Sequence, residues 1–217
     1  MVKKVVIFGA SGGIGKEIVK TLSSSDYEIL KERVDVTNAE DISKYIKEIR
    51  DVDIMIYCVG KMDVQNIHEI SINDFKSIFD VNLFGAFNVA KALIPVMREN
   101  GHFIFISSLR ALEPCKSRAA YCSSKAALDM FVRVLQKEID IKITIIRPGY
   151  VDTDLHKGNQ KYPYSKKTGK RLKVTQPRDI AEAVLFVLRM PKESSIKELN
   201  IGQTYGDLSD VYFRKEN

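Results

Sequence analysis

The sequence predicts a doubly wound α/β fold on a parallel sheet, and three observations carry that expectation. Short β-branched runs alternate with helical patterns, the first such run ends in a glycine-rich turn, and a helical pattern opens directly behind it. Val5 to Phe8 is the first strand, and Ile14, Ile18, Val19 and Leu22 recur at helical spacing after the glycines. Further strands are expected at Tyr27 to Lys31, Asp53 to Cys58, His102 to Ser107, Lys142 to Arg147 and Lys197 to Ile201. Helices are expected between them at Ala39 to Arg50, Asn73 to Arg98, Arg118 to Glu138 and Arg178 to Met190. Ser71 with Asp74 resembles a capping box, Gly101 is placed just after a helix, Pro177 suits a first turn, and Pro95 should bend the end of the long run before it. One connection is short. Only Glu32 to Asp35 follows the second strand where such folds place a helix and a third strand, and a parallel crossover needs about a dozen residues or more. The edge strand is therefore expected to be missing, leaving a sheet of six.

At 217 residues the chain is expected to form one domain, residues 1–217, with a core that needs no disulfide or structural metal. Hydrophobic residues at 45% and charged residues at 29% exclude the disordered and fibrous classes. No uninterrupted apolar run is long enough to span a bilayer, and the apolar segment after Lys3 and Lys4 is too short for a signal peptide, so a cytoplasmic protein without membrane partners is expected. Cys58, Cys115 and Cys122 form no ligand pattern, which suits packing roles in a reducing compartment and no metal. The net charge of +6 fits small anions at least as well as nucleic acid, and no aromatic platform for bases is arranged. Lys157, Lys161, Lys166, Lys167, Lys170, Arg171 and Lys173 form a basic segment without an acidic residue, and solvated loop charge accounts for it.

The turn itself reads Gly9-Ala10-Ser11-Gly12-Gly13-Ile14-Gly15. Glycines there allow positive φ and close backbone approach, and the unpaired N–H groups at a helix start attract a pyrophosphate, so a dinucleotide is the implied ligand of a Rossmann-type unit. Its spacing is GxxxGxG, and no GK[ST] follows, which argues against a nucleoside triphosphatase. About twenty residues beyond such a turn, an acidic side chain holds the ribose hydroxyls of NAD, or an arginine accommodates the 2′-phosphate of NADP. That position falls near Arg33, which predicts NADP(H), while Glu32 keeps NAD open.

Tyr121 and Lys125 lie four apart in AAYCSSKAAL, which puts phenol and ammonium on one helix face. Ser108 stands at the end of a predicted parallel strand, the sheet edge where α/β folds bind ligands. These residues, taken in order, resemble the short-chain dehydrogenase/reductase family, in its compact single-domain form, over nearly the whole chain. GASGGIG is similar to the family's cofactor turn, and Asp35-Val36-Thr37 to its adenine-contacting segment. Asn82 in DVNLFG, Ser108 in FISS, and Tyr121 with Lys125 in YCSSK resemble its catalytic group. Pro148-Gly149-Tyr150-Val151-Asp152-Thr153 resembles the stretch bordering the nicotinamide. The chain departs from the family pattern at Cys58-Val59-Gly60, where only Gly60 matches the usual NAG, at Ala111, where a glycine is common, and in lacking a DGG ending.

The resemblance implies an oxidoreductase that reversibly reduces a ketone or aldehyde by hydride transfer, with Ser108 donating to the carbonyl and Tyr121 delivering the proton. A phenol has a pKa of about 10, so a neighbouring cation is expected to favour its ionised form, and Lys125 is assigned that task and a hold on the cofactor ribose. Asn82 either shapes a water site or satisfies the backbone of a bent helix. The other class of function is a nucleotide-binding regulatory or scaffold protein without turnover, against which the complete Ser108, Tyr121 and Lys125 set argues. A sugar-nucleotide epimerase would need a larger substrate domain than the end of this chain supplies. The resemblance also makes residues 154–175 a substrate lid. Its basic residues, with Arg110, Lys116 and Arg118, raise an anionic substrate or an acidic carrier such as acyl carrier protein as the alternative to solvated charge. A homodimer or homotetramer is the expected assembly.

Overall fold

The computed structural model describes residues 2–31, 33–156, 162–203 and 211–214. Six parallel strands form one sheet in the order β2-β1-β3-β4-β5-β7, where β1 is Lys3–Phe8, β2 Tyr27–Leu30, β3 Val52–Tyr57, β4 Met97–Ile106, β5 Lys142–Pro148 and β7 Glu198–Ile201. The intervening β6, Tyr162–Ser165, pairs antiparallel with β8, Val211–Arg214, as a separate ribbon. Among the described residues no strand lies between β2 and the helix that follows it, so β2 is the sheet edge, as the short connection requires.

The helices are α1 Gly13–Ser23, α2 Ala39–Lys47, α3 Ile72–Phe79, α4 Gly85–Leu93, α5 Ala119–Glu138 and α6 Pro177–Leu188. Strand alternation sorts the core into two layers. Val5, Ile7, Ile54, Ile56, Ile104 and Ile106 face α1 and α6. Val6, Phe8, Met55, Tyr57, Phe103 and Phe105 face the other way, toward α2, α4 and α5. Pro177 opens α6, where Gln176 and Asp179 cap reciprocally, and the Ser71 hydroxyl accepts from the Asp74 N–H at 3.0 Å.

The long helical run is interrupted twice. Residues Asp80–Phe84 form a π turn, whose wider spacing leaves the Val81 carbonyl to accept from the Tyr57 hydroxyl. A 3₁₀ turn at Ile94–Val96 holds Pro95 and ends the helix, and the chain is already extended at Met97. Gly101 therefore lies within β4 rather than after a helix. Val52 pairs with Met97 and Ile54 with His102, so the residues between bulge out of the ladder. By length and a mean hydropathy of 1.3, Ile72–Val96 could cross a membrane, but Ile78, Ala86, Val89, Ala90 and Leu93 are buried in the core, which makes its apolar character that of a packed helix.

A charged chain crosses the β5 edge. Arg147, 1% exposed, donates to Asp129 of α5 and to Glu198 of β7 at 2.8 Å, and Glu198 also receives Arg133. Hydrogen bonds from Arg133 and then Arg147 pull the Glu198 carboxyl down to about 2. A depressed carboxyl pKa gives stability that is complete above the unfolded value, about 4.3, and is lost as pH falls through the folded one. Acid titration of folding should show wild type losing more stability than Glu198→Gln between about pH 4.3 and pH 2, the limits those two pKa values set.

Candidate active site

The carboxyl ends of β1, β3, β4 and β5 converge on a cavity of about 540 Å³, a size ordinary for a small-molecule site. Ser11, Gly12, Gly13, Ile14 and Gly15 line it, with Gly60, Ser108, Tyr121, Lys125, Pro148, Gly149, Val151 and Thr153. These are residues the sequence motifs single out, brought together from five separated stretches. Gly9, Asn82, Arg33, Asp35 and Val36 stand outside its wall.

The turn after β1 is fixed by backbone geometry. Gly9 has φ +86°, and a Cβ there would lie 2.7 Å from the Cys58 carbonyl carbon. The Gly12 N–H donates to the Gly9 carbonyl at 3.0 Å, and helix α1 starts at once, which leaves the N–H groups of Gly13, Ile14 and Gly15 without intrahelical acceptors. A Cβ on Gly15 would meet the Gly9 oxygen at 2.1 Å and the Ala10 Cα at 2.9 Å. Gly15→Ala must displace this backbone and is expected to cost about 1–3 kcal/mol of stability and weaken nucleotide binding at least tenfold (~1.4 kcal/mol), read by thermal unfolding and cofactor titration.

The segment expected at the adenine end is ordered by its own contacts. Asp35 accepts from the Thr37 N–H at 2.9 Å and hydroxyl at 2.8 Å, which lowers its pKa, and Val36 packs in the core beside Gly85. Arg33 is exposed, and Glu32 lies outside the described residues.

Ser108 and Tyr121 both line the cavity. Ser108, just beyond β4, accepts from the Arg110 N–H at 3.1 Å, and its side chain bears on the Tyr121 phenol. Burial raises the Tyr121 pKa, and the Ser108 hydrogen bond and then the Arg118 and Arg110 charges oppose that rise. Lys125 is 3% exposed and donates to the Ile106 carbonyl at 3.0 Å. Burial pushes its pKa down to about 8, with Cys58 and Asp129 acting the other way. The cations that bear on the phenol are thus Arg118 and Arg110, whereas Lys125 is turned to the strand end, beside Gly60. Ser107 is occupied by Asp129, which singles out Ser108 as the hydroxyl open to the cavity.

Asn82, fully buried in the π turn, accepts from the Lys61 N–H at 2.8 Å and donates to the Lys61 carbonyl and the Ser124 hydroxyl, each at 2.9 Å. It ties the loop after β3 to α5, so it satisfies backbone beyond its own helix, with Ser124 as the strut on α5. Cys115 and Cys122 depart from simple packing. Their thiols share a hydrogen bond beside Arg110 and Arg118, which favours the Cys122 thiolate. Val59, Met62, Val64, Ile106, Tyr150 and Leu155 complete the wall. Val59, Ile106 and Tyr150 sit inside quoted motifs, and the other three carry no sequence signal beyond being apolar. Within residues 154–175, Asp154–His156 is a 3₁₀ turn and Tyr162–Ser165 a strand, while Lys157 and Lys161 lie outside the described residues.

With fold and cavity in view, comparison with known proteins defines the class. The family model for short chain dehydrogenase matches residues 28–163. An uncharacterized oxidoreductase of Staphylococcus aureus strain USA300 is 31% identical over 230 residues, covering 92% of this chain and 96% of the relative. The chain belongs to the short-chain dehydrogenase family and is an oxidoreductase of that family. Among solved structures, an alcohol dehydrogenase from the archaeon Thermococcus sibiricus, complexed with 5-hydroxy-NADP, is similar at 25% identity and a TM-score of 0.80, over 94% of this chain and 98% of that one. A small-chain dehydrogenase in complex with NADPH is similar in fold at 21% identity and a TM-score of 0.82, over 93% and 97%.

Proposed function

We propose that the protein is an NADP(H)-dependent oxidoreductase that reversibly reduces a ketone or aldehyde to an alcohol. The observation that carries this reading is that Ser108 and Tyr121 line the same cavity as the Ser11 to Gly15 turn. The cavity suits a dinucleotide: open N–H groups at the α1 start accept a pyrophosphate, and Gly13 approaches Thr153 so closely that a Cβ would lie 2.8 Å from its methyl carbon. Pro148, Gly149, Val151 and Thr153 border the nicotinamide in this reading, and Gly60 and Lys125 the ribose. Arg33 takes the 2′-phosphate, and Asp35 and Val36 flank the adenine. The relatives bound to NADPH and 5-hydroxy-NADP support the choice of cofactor.

Bound nicotinamide supplies the hydride. Ser108 donates a hydrogen bond to the carbonyl oxygen, where negative charge develops. Tyr121 gives that oxygen its proton, and the raised pKa keeps the phenol protonated for that step. Arg118 and Arg110 stabilise the phenolate left behind, and Asn82 holds the Lys61 loop against α5 as a positioning residue. Residues 1–217 act as one nucleotide-binding domain, with 154–175 covering the substrate. Exposed Phe84, Phe87, Met130 and Val134 on the π turn, α4 and α5 support a homodimer or homotetramer through that face, and three free cysteines suit the cytoplasm. Initial rates at matched cofactor concentrations should be at least tenfold higher with NADPH than with NADH, about 1.4 kcal/mol of discrimination. Equal rates would overturn the cofactor assignment.

A further inference from the structure

The cavity has a charged end that hydride transfer to a neutral ketone leaves unused. Among the described residues its wall holds Lys16, Arg110, Lys116, Arg118 and Lys125 against one carboxylate, Asp154. Arg110 and Arg118 are half-buried, where a guanidinium without an anion is costly. Yet neither forms an ion pair among the described residues. Arg110 donates from its side chain to the Glu113 carbonyl at 3.3 Å, and Arg118 to the Met62 sulfur at 3.2 Å, a weak acceptor. Each guanidinium carries five N–H donors, so most remain to be matched.

The backbone holds both arginines in place. Arg110 follows Ser108 by two residues in a 3₁₀ turn, Leu109–Ala111, and donates its own N–H to the serine oxygen. Arg118 caps α5 three residues before Tyr121, and a bridge to Gln65 fixes it. The residue before it, Ser117, adopts φ +61°, an unfavourable value for a non-glycine residue, and its hydroxyl bonds Asn66 at 2.7 Å. Both charges reach the Tyr121 phenol. Val59, Met62, Val64 and Leu155 give the same cavity apolar wall.

We propose that Arg110 and Arg118 form a carboxylate subsite, and that the substrate is a short oxo acid whose ketone lies at Ser108 and Tyr121 while its carboxylate meets the two guanidinium groups. The location of the ketone rests on the function proposed above; the subsite does not. Planar guanidinium pairs suit bidentate carboxylate recognition. A small acid fits better than an acidic carrier protein, because the two arginines are half-buried in the cavity wall, whereas the exposed cations of that wall are the lysines Lys16 and Lys116. Cys122 is the competing anion, its pKa lowered beside Cys115 and the two arginines, but even a full thiolate would carry one charge against two and leave the pair net positive.

The test uses the protein loaded with NADP+, which cannot reduce a ketone, so binding is read apart from chemistry. Calorimetric titration with 4-oxopentanoate and with its methyl ester compares one ketone with and without its charge. The acid is expected to bind at least tenfold more tightly at low salt. Arg118→Gln and Arg110→Gln should each remove most of that preference, with ester binding and NADP+ affinity retained. Equal binding of acid and ester, or a preference that survives the double substitution, overturns the subsite. So does a double variant that changes only Cys122 alkylation. Turnover of the same pair with NADPH is the separate arm: carboxylate binding without reduction of any ketone would sustain the subsite and sink the reductase reading.

Discussion

Tyr121→Phe is expected to lower kcat by about 10²–10⁴-fold, the range over which a positioned acid contributes to proton transfer. The substitution removes one hydroxyl and keeps the ring, so the buried packing of Tyr121, 7% exposed, should survive. Cofactor affinity should survive too, because the phosphate turn is built by the backbone of a different segment. The loss should appear in kcat and kcat/KM alike, as expected for an interaction made in the transition state. Ser108 then keeps its bond from the Arg110 N–H but loses its phenolic partner. Normal cofactor binding with full turnover in this variant would contradict the assignment of Tyr121 as the acid.

Asp129→Ala is expected to destabilise the fold by about 3–5 kcal/mol, because it strips a partner from a charge that water cannot reach. Arg147 is 1% exposed and Asp129 2%, and the Arg147 Nη2 already lacks a hydrogen-bond partner. With Asp129 gone, the guanidinium retains Glu198 and an Asn200 contact at 3.2 Å, and the Ser107 hydroxyl loses its acceptor. The denaturation midpoint should fall with the slope unchanged. Replacing both members by apolar residues, Asp129→Leu with Arg147→Met, should recover much of the loss, since an uncompensated charge costs more than an absent pair. If the single variant unfolds within about 1 kcal/mol of wild type, below the penalty of a stranded buried charge, then Glu198 alone neutralises Arg147.

The sheet and the phosphate turn were legible because each has a local cause. β-branched runs set the strands, glycines set the turn, and the scarcity of residues after β2 leaves no room for another parallel strand. The beginning of β4 was not legible. Arg98–Asn100 is polar and exposed, and what extends this start of β4 is pairing of Met97 with Val52 and the end of the helix at Pro95, a tertiary and a local cause acting together. Tyr121 and Lys125 were legible as a pair at helical spacing, but their division of labour was not. Spacing puts Lys125 near the phenol, whereas burial and the Ile106 carbonyl direct its ammonium to the strand end. Arg118 lies three residues before Tyr121 at the start of the same helix, but the sequence distance of Arg110 gives no hint that the chain folds it back on the phenol. The hydrogen bond between Cys115 and Cys122 depends likewise on the loop before α5, which no periodicity describes.

The central claim is that this chain moves hydride from NADPH to a carbonyl carbon with Tyr121 as the proton donor. Its most direct measurement is isotope transfer: a panel of oxo acids, ketones and aldehydes incubated with NADPH deuterated at the transferring position, the alcohol products analysed by mass spectrometry. The account predicts an alcohol carrying deuterium at the carbinol carbon with wild-type protein, and a rate reduced by about 10²–10⁴-fold with Tyr121→Phe. Product alcohol lacking deuterium, or tight NADPH binding with no carbonyl in the panel reduced, would contradict it.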